Sequence, residues 1–156
     1  MADLSAQSEH VTSANPALRH PPLAPGWIDR PHHQTRLGDL ELESGDVLRD
    51  TCLSWVEHGE RTAQRDNTVL VCCAIGSTHH RLDFLIGAQR CLDISRYHVI
   101  VIDALGNGLS TSPSNSLAQP GARFPRIGIR DMVQSQRLLL DHLGIEKLHA
   151  VVGASM

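Results

Sequence analysis

The stretch that most constrains this chain is Lys147-Leu-His-Ala-Val-Val-Gly-Ala-Ser-Met156. Leu148 to Val152 is a short apolar run of the kind that forms a buried strand, and it leads into Gly153-Ala154-Ser155-Met156. Gly-x-Ser-x is four-fifths of the nucleophile elbow Gly-x-Ser-x-Gly. In that elbow a serine sits on a strained turn between a strand and a helix, its hydroxyl raised above the sheet edge. Small residues flank the serine because so tight a turn leaves neighbouring side chains no room. Ser155 is the candidate nucleophile. The short match is weak alone; its place directly after a buried strand gives it weight.

The preceding chain supplies the strands such an elbow needs. Residues 1–35 are polar, lack periodicity and are broken by Pro16, Pro21, Pro22, Pro25 and Pro31. They read as an extended or disordered arm, with Trp27 and Ile28 pinning its end to the body. Residues 36–156 read as one incomplete α/β domain. Leu40 to Glu43, the turn Ser44-Gly45-Asp46 and Val47 to Val56 predict a β-hairpin, and His58 to Asn67 a polar loop. Thr68 to Ala74 and Tyr97 to Asp103 are continuous apolar runs, expected of strands buried on both faces of a sheet. Between them lie a loop over 75–80 and a weak helical pattern over 82–92. Ala104 to Phe124 is a long loop. Arg130 to Leu143 is a helix with Met132, Val133, Leu140 and Leu143 on one face, ended by Gly144. Buried strands alternating with helices imply a parallel sheet with right-handed crossovers, whose ligands sit beyond the strands' carboxyl ends.

Acyl chemistry at Ser155 needs backbone N–H groups aimed at the developing oxyanion. Met156, after the nucleophile, is one candidate; Ile75 or Gly76, in the loop after the first buried strand, is the other. Asp103, Gly106, Gly108 and Ser110 mark a tight loop expected to lie close to the substrate. Gly106 and Gly108 resemble the start of a dinucleotide fingerprint, but the third glycine and the following helix are missing. No metal site is expected: Cys72 and Cys73, being adjacent, face opposite sides of a strand, and His79 and His80 lack a spaced partner pair. His142 and His149 read as surface or structural, and Asp131 suits a helix N-terminus without a catalytic role.

Composition narrows the class further. At 156 residues and a net charge of −3 the chain is long enough for one core and too acidic for a nucleic-acid binder. No run approaches a membrane span, and Met1-Ala-Asp-Leu-Ser5 has neither the basic nor the apolar region of a secretory signal. Cys52, Cys72, Cys73 and Cys91 lie in or beside apolar segments, which suits reduced thiols in the cytoplasm.

Over roughly residues 37–156 the chain resembles the homoserine O-acetyltransferase family of α/β-hydrolase-fold enzymes. The resemblance rests on Phe124-Pro125, on Ile129-Arg130-Asp131-Met132-Val133 and on the run from Leu139 through Gly144 to Met156. Leu42-Glu43-Ser44-Gly45 and Val69-Leu70-Val71-Cys72 support it. It implies the N-terminal portion of an α/β-hydrolase fold: a β-hairpin followed by parallel strands with crossover helices. It also implies transfer of an acetyl group from acetyl-CoA to a small hydroxyl acceptor through acylated Ser155, with no tightly bound cofactor, and a homodimer in the full-length form. Two positions depart from the family pattern. Cys73 stands where a histidine is usual, and Asp103-Ala-Leu-Gly106-Asn-Gly108-Leu-Ser110 is closer to the general α/β-hydrolase loop. An esterase of the same family is the alternative. A non-catalytic product, or one half of a split protein, is the alternative from another class.

In this fold the catalytic residues follow the order serine, acid, histidine, yet all ten histidines precede Ser155. The base, the acid and the rest of the elbow are therefore expected beyond Met156, and the last strand is expected to show an unpaired edge. The chain alone is expected to accumulate no acyl-serine when incubated with an acyl donor; a mass increment on Ser155 would contradict this.

Overall fold

The computed structural model describes residues 20–74 and 76–155. Among these residues five strands form one sheet: β1 (His33–Glu41), β2 (Val47–His58), β3 (Thr68–Cys72), β4 (His98–Ile102) and β5 (Ala150–Gly153). Their spatial order is β1-β2-β4-β3-β5. The β1–β2 and β2–β4 pairs are antiparallel; β4, β3 and β5 run parallel. The α/β fold class and the hairpin are as the sequence indicates, although β1 begins at His33, within the stretch read as an arm. Residues 1–19, most of that arm, lie outside the described residues.

The continuous apolar runs are explained by two cores, one on each sheet face. Leu70, Ile100 and Ile102 point into one core with Leu48, Leu53, Trp55, Leu139 and Leu140. Val69, Val71, Cys73, Val99 and Val101 point into the other with Leu82, Ile86 and Leu92. Neighbours along a strand face opposite ways, so a strand covered on both sides must be apolar throughout. Cys72 and Cys73 obey the same rule, one packed against each core. β5 has a single neighbour among the described residues, β3, and Val151 on it is 61% exposed. This is the unpaired edge expected of the last strand.

Among the described residues the one α-helix, α1 (Ile129–His142), is organised by its ends. Asp131 is buried, and its carboxylate accepts the Gly128 N–H at 2.7 Å and the Glu43 N–H at 2.8 Å. It caps the first turn and ties it to the end of the hairpin. At the other end Gly144 adopts φ +62; its N–H reaches Asp141 O at 3.0 Å, and the Ile145 N–H reaches Leu140 O at 2.9 Å. These are the two bonds of a Schellman motif. The buried face is Asp131, Ser135, Gln136, Leu139 and Leu140, with Met132 and Leu143 packed at its margin. Val133, expected on that face, is 58% exposed. It lies about 100° further around the helix than Met132, which carries it off the buried face.

The weak helix expected over 82–92 does not form. His79–Leu85 makes 3-10 turns broken at Leu82 (φ −115°, ψ 17°). The chain then folds back, with Leu92 N–H donating to Leu85 O at 2.8 Å and Gly87 N–H to Leu92 O at 3.1 Å. Asp83 draws the segment away from helical pairing, because its Oδ2 accepts the Ile28 N–H at 2.8 Å and lies 2.6 Å from His80 Nδ1. The apolar spacing that suggested a helix serves the second core instead. Among the described residues no helix is long and apolar enough to cross a membrane.

Two glycines test how tightly the connections are built. Gly59 ends β2 at φ +68; a Cβ there would overlap Tyr97 O and lie 2.7 Å from Ile94 O. Gly45, in the hairpin turn at φ +86, has nothing within 4 Å of that position. Gly45→Ala should therefore lose only the left-handed backbone penalty, about 1 kcal/mol. Gly59→Ala should lose more than about 3 kcal/mol, because two fixed carbonyls must move. Denaturant midpoints compare the two directly; equal losses would refute the steric explanation.

Candidate active site

The parallel register brings three chain junctions to one edge of the sheet. Cys72 pairs with Ile102 on one side and Gly153 on the other. The segments that follow, Cys73 onward, Asp103 onward and Ala154 onward, therefore leave from neighbouring positions at the strands' carboxyl ends. Ser155 lies two residues past β5, is exposed, and has φ +60. Asp50, Arg65 and Gln89 are other exposed non-glycine residues with positive φ. What sets Ser155 apart is a left-handed backbone directly after a parallel strand, the conformation a nucleophile elbow requires. A Cβ on Gly153 would lie 3.6 Å from Cys72 Cβ, an ordinary contact, so the crowding expected of the elbow is not met at that position among the described residues.

Of the candidate oxyanion donors, Ile75 and Met156 lie outside the described residues. Gly76 stands at φ +68 in the turn after β3. Ser77 holds that turn by donating both its N–H (3.1 Å) and its hydroxyl (2.7 Å) to Ala74 O. The turn is braced from the neighbouring loop by Asn107, whose Nδ2 donates to Ser77 O at 3.3 Å.

Asp103 organises this edge. It is fully buried, and its two oxygens accept from four donors. Oδ1 takes the His79 N–H at 2.9 Å and Asn107 Nδ2 at 3.0 Å; Oδ2 takes the Ser54 hydroxyl at 2.9 Å and His79 Nδ1 at 3.0 Å. Ser110, also fully buried, donates its hydroxyl to Asp103 O at 2.6 Å and accepts the Ser54 N–H at 2.9 Å. The side chains of Asp103 and Ser110, singled out with the substrate loop, are thus occupied in knitting that loop to β2 and to the turn after β3. Gly106 (φ +87) and Gly108 (φ +98) allow the loop to close, with the Gly106 N–H on Thr111 O at 2.9 Å. No helix directly follows them, so the glycine pair has no helix N-terminus to offer a phosphate. Asn107, which the sequence reading passed over, is the keystone: its Oδ1 also accepts the N–H groups of Leu109 and Ser110. Its only local signal is an asparagine between two glycines.

His79 and Asp103 form a histidine–carboxylate pair, but not one built to serve Ser155. His79 is 1% exposed, and its ring packs against those of His20 and His32, with centroids 5.3 and 4.5 Å away. Sequence spacing offers His79 and His80 no partner pair, yet the segment before β1 brings His20 and His32 beside them. Trp27 stacks on His80 at 4.3 Å, and His20 Nε2 lies 2.8 Å from His80 Nε2. Cys73 is no nucleophile: burial first, and the Asp103 charge second, push its thiol far above the ordinary range.

His58 is buried, with no partner for its Nε2 among the described residues. Burial first, then the Arg30 guanidinium, lower its pKa from 6.5 to about 4. The unfolded imidazole takes up its proton near pH 6.5 and the folded one only near 4, so acidification between those values favours unfolding. The loss is up to about 1.4 kcal/mol per pH unit. Stability measured in urea from pH 7 to pH 4 should fall through this window, and less steeply in His58→Phe. Identical slopes would mean that His58 is protonated in the native state.

Residues 67–156 match the family model described as the alpha/beta hydrolase fold. The chain is 36% identical over 135 residues to a homoserine O-acetyltransferase of Methanosalsum zhilinae, covering 76% of this chain and 27% of that protein. It is 40% identical over 131 residues to an ethyl acetate hydrolase of Pseudomonas veronii, covering 81% and 37%. The solved structure of an acetylester hydrolase from Corynebacterium glutamicum superimposes with a TM-score of 0.75 at 36% identity, covering 79% of this chain and 36% of that one. The matches span 27% to 38% of the length of the first curated relatives.

Proposed function

The chain belongs to the α/β-hydrolase fold family, and on that premise we propose that it contributes the nucleophile to an acyl-transfer enzyme that moves an acetyl group through Ser155. The observation that carries this reading is the left-handed backbone of exposed Ser155, immediately beyond a strand that lies beside β3. In the proposed reaction Ser155 Oγ attacks the carbonyl carbon of acetyl-CoA. Its proton passes to a histidine supplied from outside the described residues, and the thiol departs. A small hydroxyl acceptor, homoserine in the first instance, then attacks the acetyl-serine. In this reading the turn bearing Gly76 helps shape an oxyanion hole, with Ile75 and Met156 as the other donors required.

Ester hydrolysis is the second reading. It is favoured by the Asp103-to-Ser110 loop and by the ethyl acetate and acetylester hydrolases among the similar proteins. Both reactions share the acetyl-serine and differ only in whether an alcohol or water attacks it.

The test uses the native gene product. Incubated with acetyl-CoA, or with an acetate ester, it should carry one acetyl group on Ser155. Ser155→Ala should lose activity by about 10⁴-fold or more. Adding homoserine should divert the acetyl group into O-acetylhomoserine; acetate release indifferent to homoserine would favour the hydrolase. Ser155→Ala within tenfold of the native rate would end the serine mechanism.

A further inference from the structure

We propose that His20, His32 and His79 form a binding site for one divalent transition-metal ion, with zinc the ion that best fits three imidazoles. One ring nitrogen from each residue lies within 4.8 Å of those of the other two. A tetrahedral site with metal–nitrogen bonds of 2.0–2.1 Å needs nitrogens about 3.4 Å apart, so the rings must close by up to about 1.4 Å. Two of the three can do so: His20 is half-buried and His32 exposed. His79 is the fixed point.

Two independent features mark His79 as a prepared ligand. The first is its carboxylate backing. Asp103 Oδ2 is 3.0 Å from Nδ1, and a carboxylate only accepts, so the proton sits on Nδ1 and the Nε2 lone pair is left free. A carboxylate–histidine pair of this kind fixes the tautomer and the ring orientation of metal ligands. The second is that His79 Nε2 is buried and has no hydrogen-bond partner among the described residues. A buried nitrogen left without a partner costs free energy; an ion among the three rings would satisfy it.

The neighbouring residues hold the arrangement in place. His80 Nδ1 lies 2.6 Å from Asp83 Oδ2, its ring stacks on Trp27, and its Nε2 meets His20 Nε2. His20 is thereby held at the mouth of the cluster, and it exchanges this contact for the ion when the rings close. Three nitrogen donors with no thiolate and no carboxylate in the ligand set suit zinc, copper or nickel, not the oxygen-seeking magnesium or calcium. The bound ion would pin the segment before β1 to the turn after β3. One coordination position would remain for water or an acceptor group.

The test is isothermal titration of the chelator-treated native protein with zinc chloride. One ion should bind per chain through this site. His20→Gln and His32→Gln should each weaken binding by at least about 100-fold, a ligand mattering at least as much as its supporting partners. Both residues are at the surface, and unchanged melting of the metal-free variants would show that they fold. The double variant His142→Gln/His149→Gln, remote exposed imidazoles, should bind as the native protein does. Cobalt substitution should give the visible absorption of a tetrahedral site, lost in His32→Gln. Zinc affinity unchanged in His20→Gln and His32→Gln, or no binding at micromolar zinc, would overturn the proposal.

Discussion

The structure depends on one buried carboxylate. Asp103 ends β4 with no exposed surface, where an uncompensated carboxylate would cost several kcal/mol. Four donors offset that cost, and they come from β2 (Ser54), the segment after β3 (His79, twice) and the following loop (Asn107). A group that must have all its partners fixes where those partners stand. The loop over residues 104–112 and the turn bearing Gly76 are therefore held to the same strand end.

The two-sided sheet supplies the rigid base for this arrangement. Leucine and isoleucine fill one face, and valine most of the other, along β3 and β4, so neither strand can slip by one residue without exchanging its two cores. Register therefore fixes the level at which β3, β4 and β5 end. Ser155, the turn after β3 and the Asp103 loop meet at one edge because the strands carrying them are parallel and in step. The left-handed Ser155 is the strained point of that edge, and strain of this kind persists only where packing holds it.

The segment before β1 packs beside this edge. Its histidines and Trp27 gather on His79 and His80, one of them hydrogen-bonded to Asp103 and the other to Asp83. The edge bearing Ser155 and the histidine cluster thus share Asp103 as a common support. A disturbance of either would be felt at the other through His79, whose backbone and ring are both bound to that carboxylate.

Much of this was legible in the residues themselves. The apolar runs marked β3, β4 and β5, Ser44-Gly45-Asp46 marked the hairpin turn, and Gly144 the helix end, because each signal is local and a few residues long. The reading failed where a local pattern was ambiguous. Residues 82–92 had a helix-like apolar spacing but were drawn into 3-10 turns by the Asp83 carboxylate, and Val133 fell outside the helix face. The sequence by itself determined the fold class and the strand after which Ser155 stands, since both follow from periodicity and from backbone preferences of small residues. Only the tertiary structure decided which partners Asp103 and Ser110 hold, that Asn107 is the keystone, and that His20 and His32 reach His79. Those contacts join residues far apart in the chain, and no spacing rule encodes a hydrogen bond whose partners meet only after the strands have taken their order.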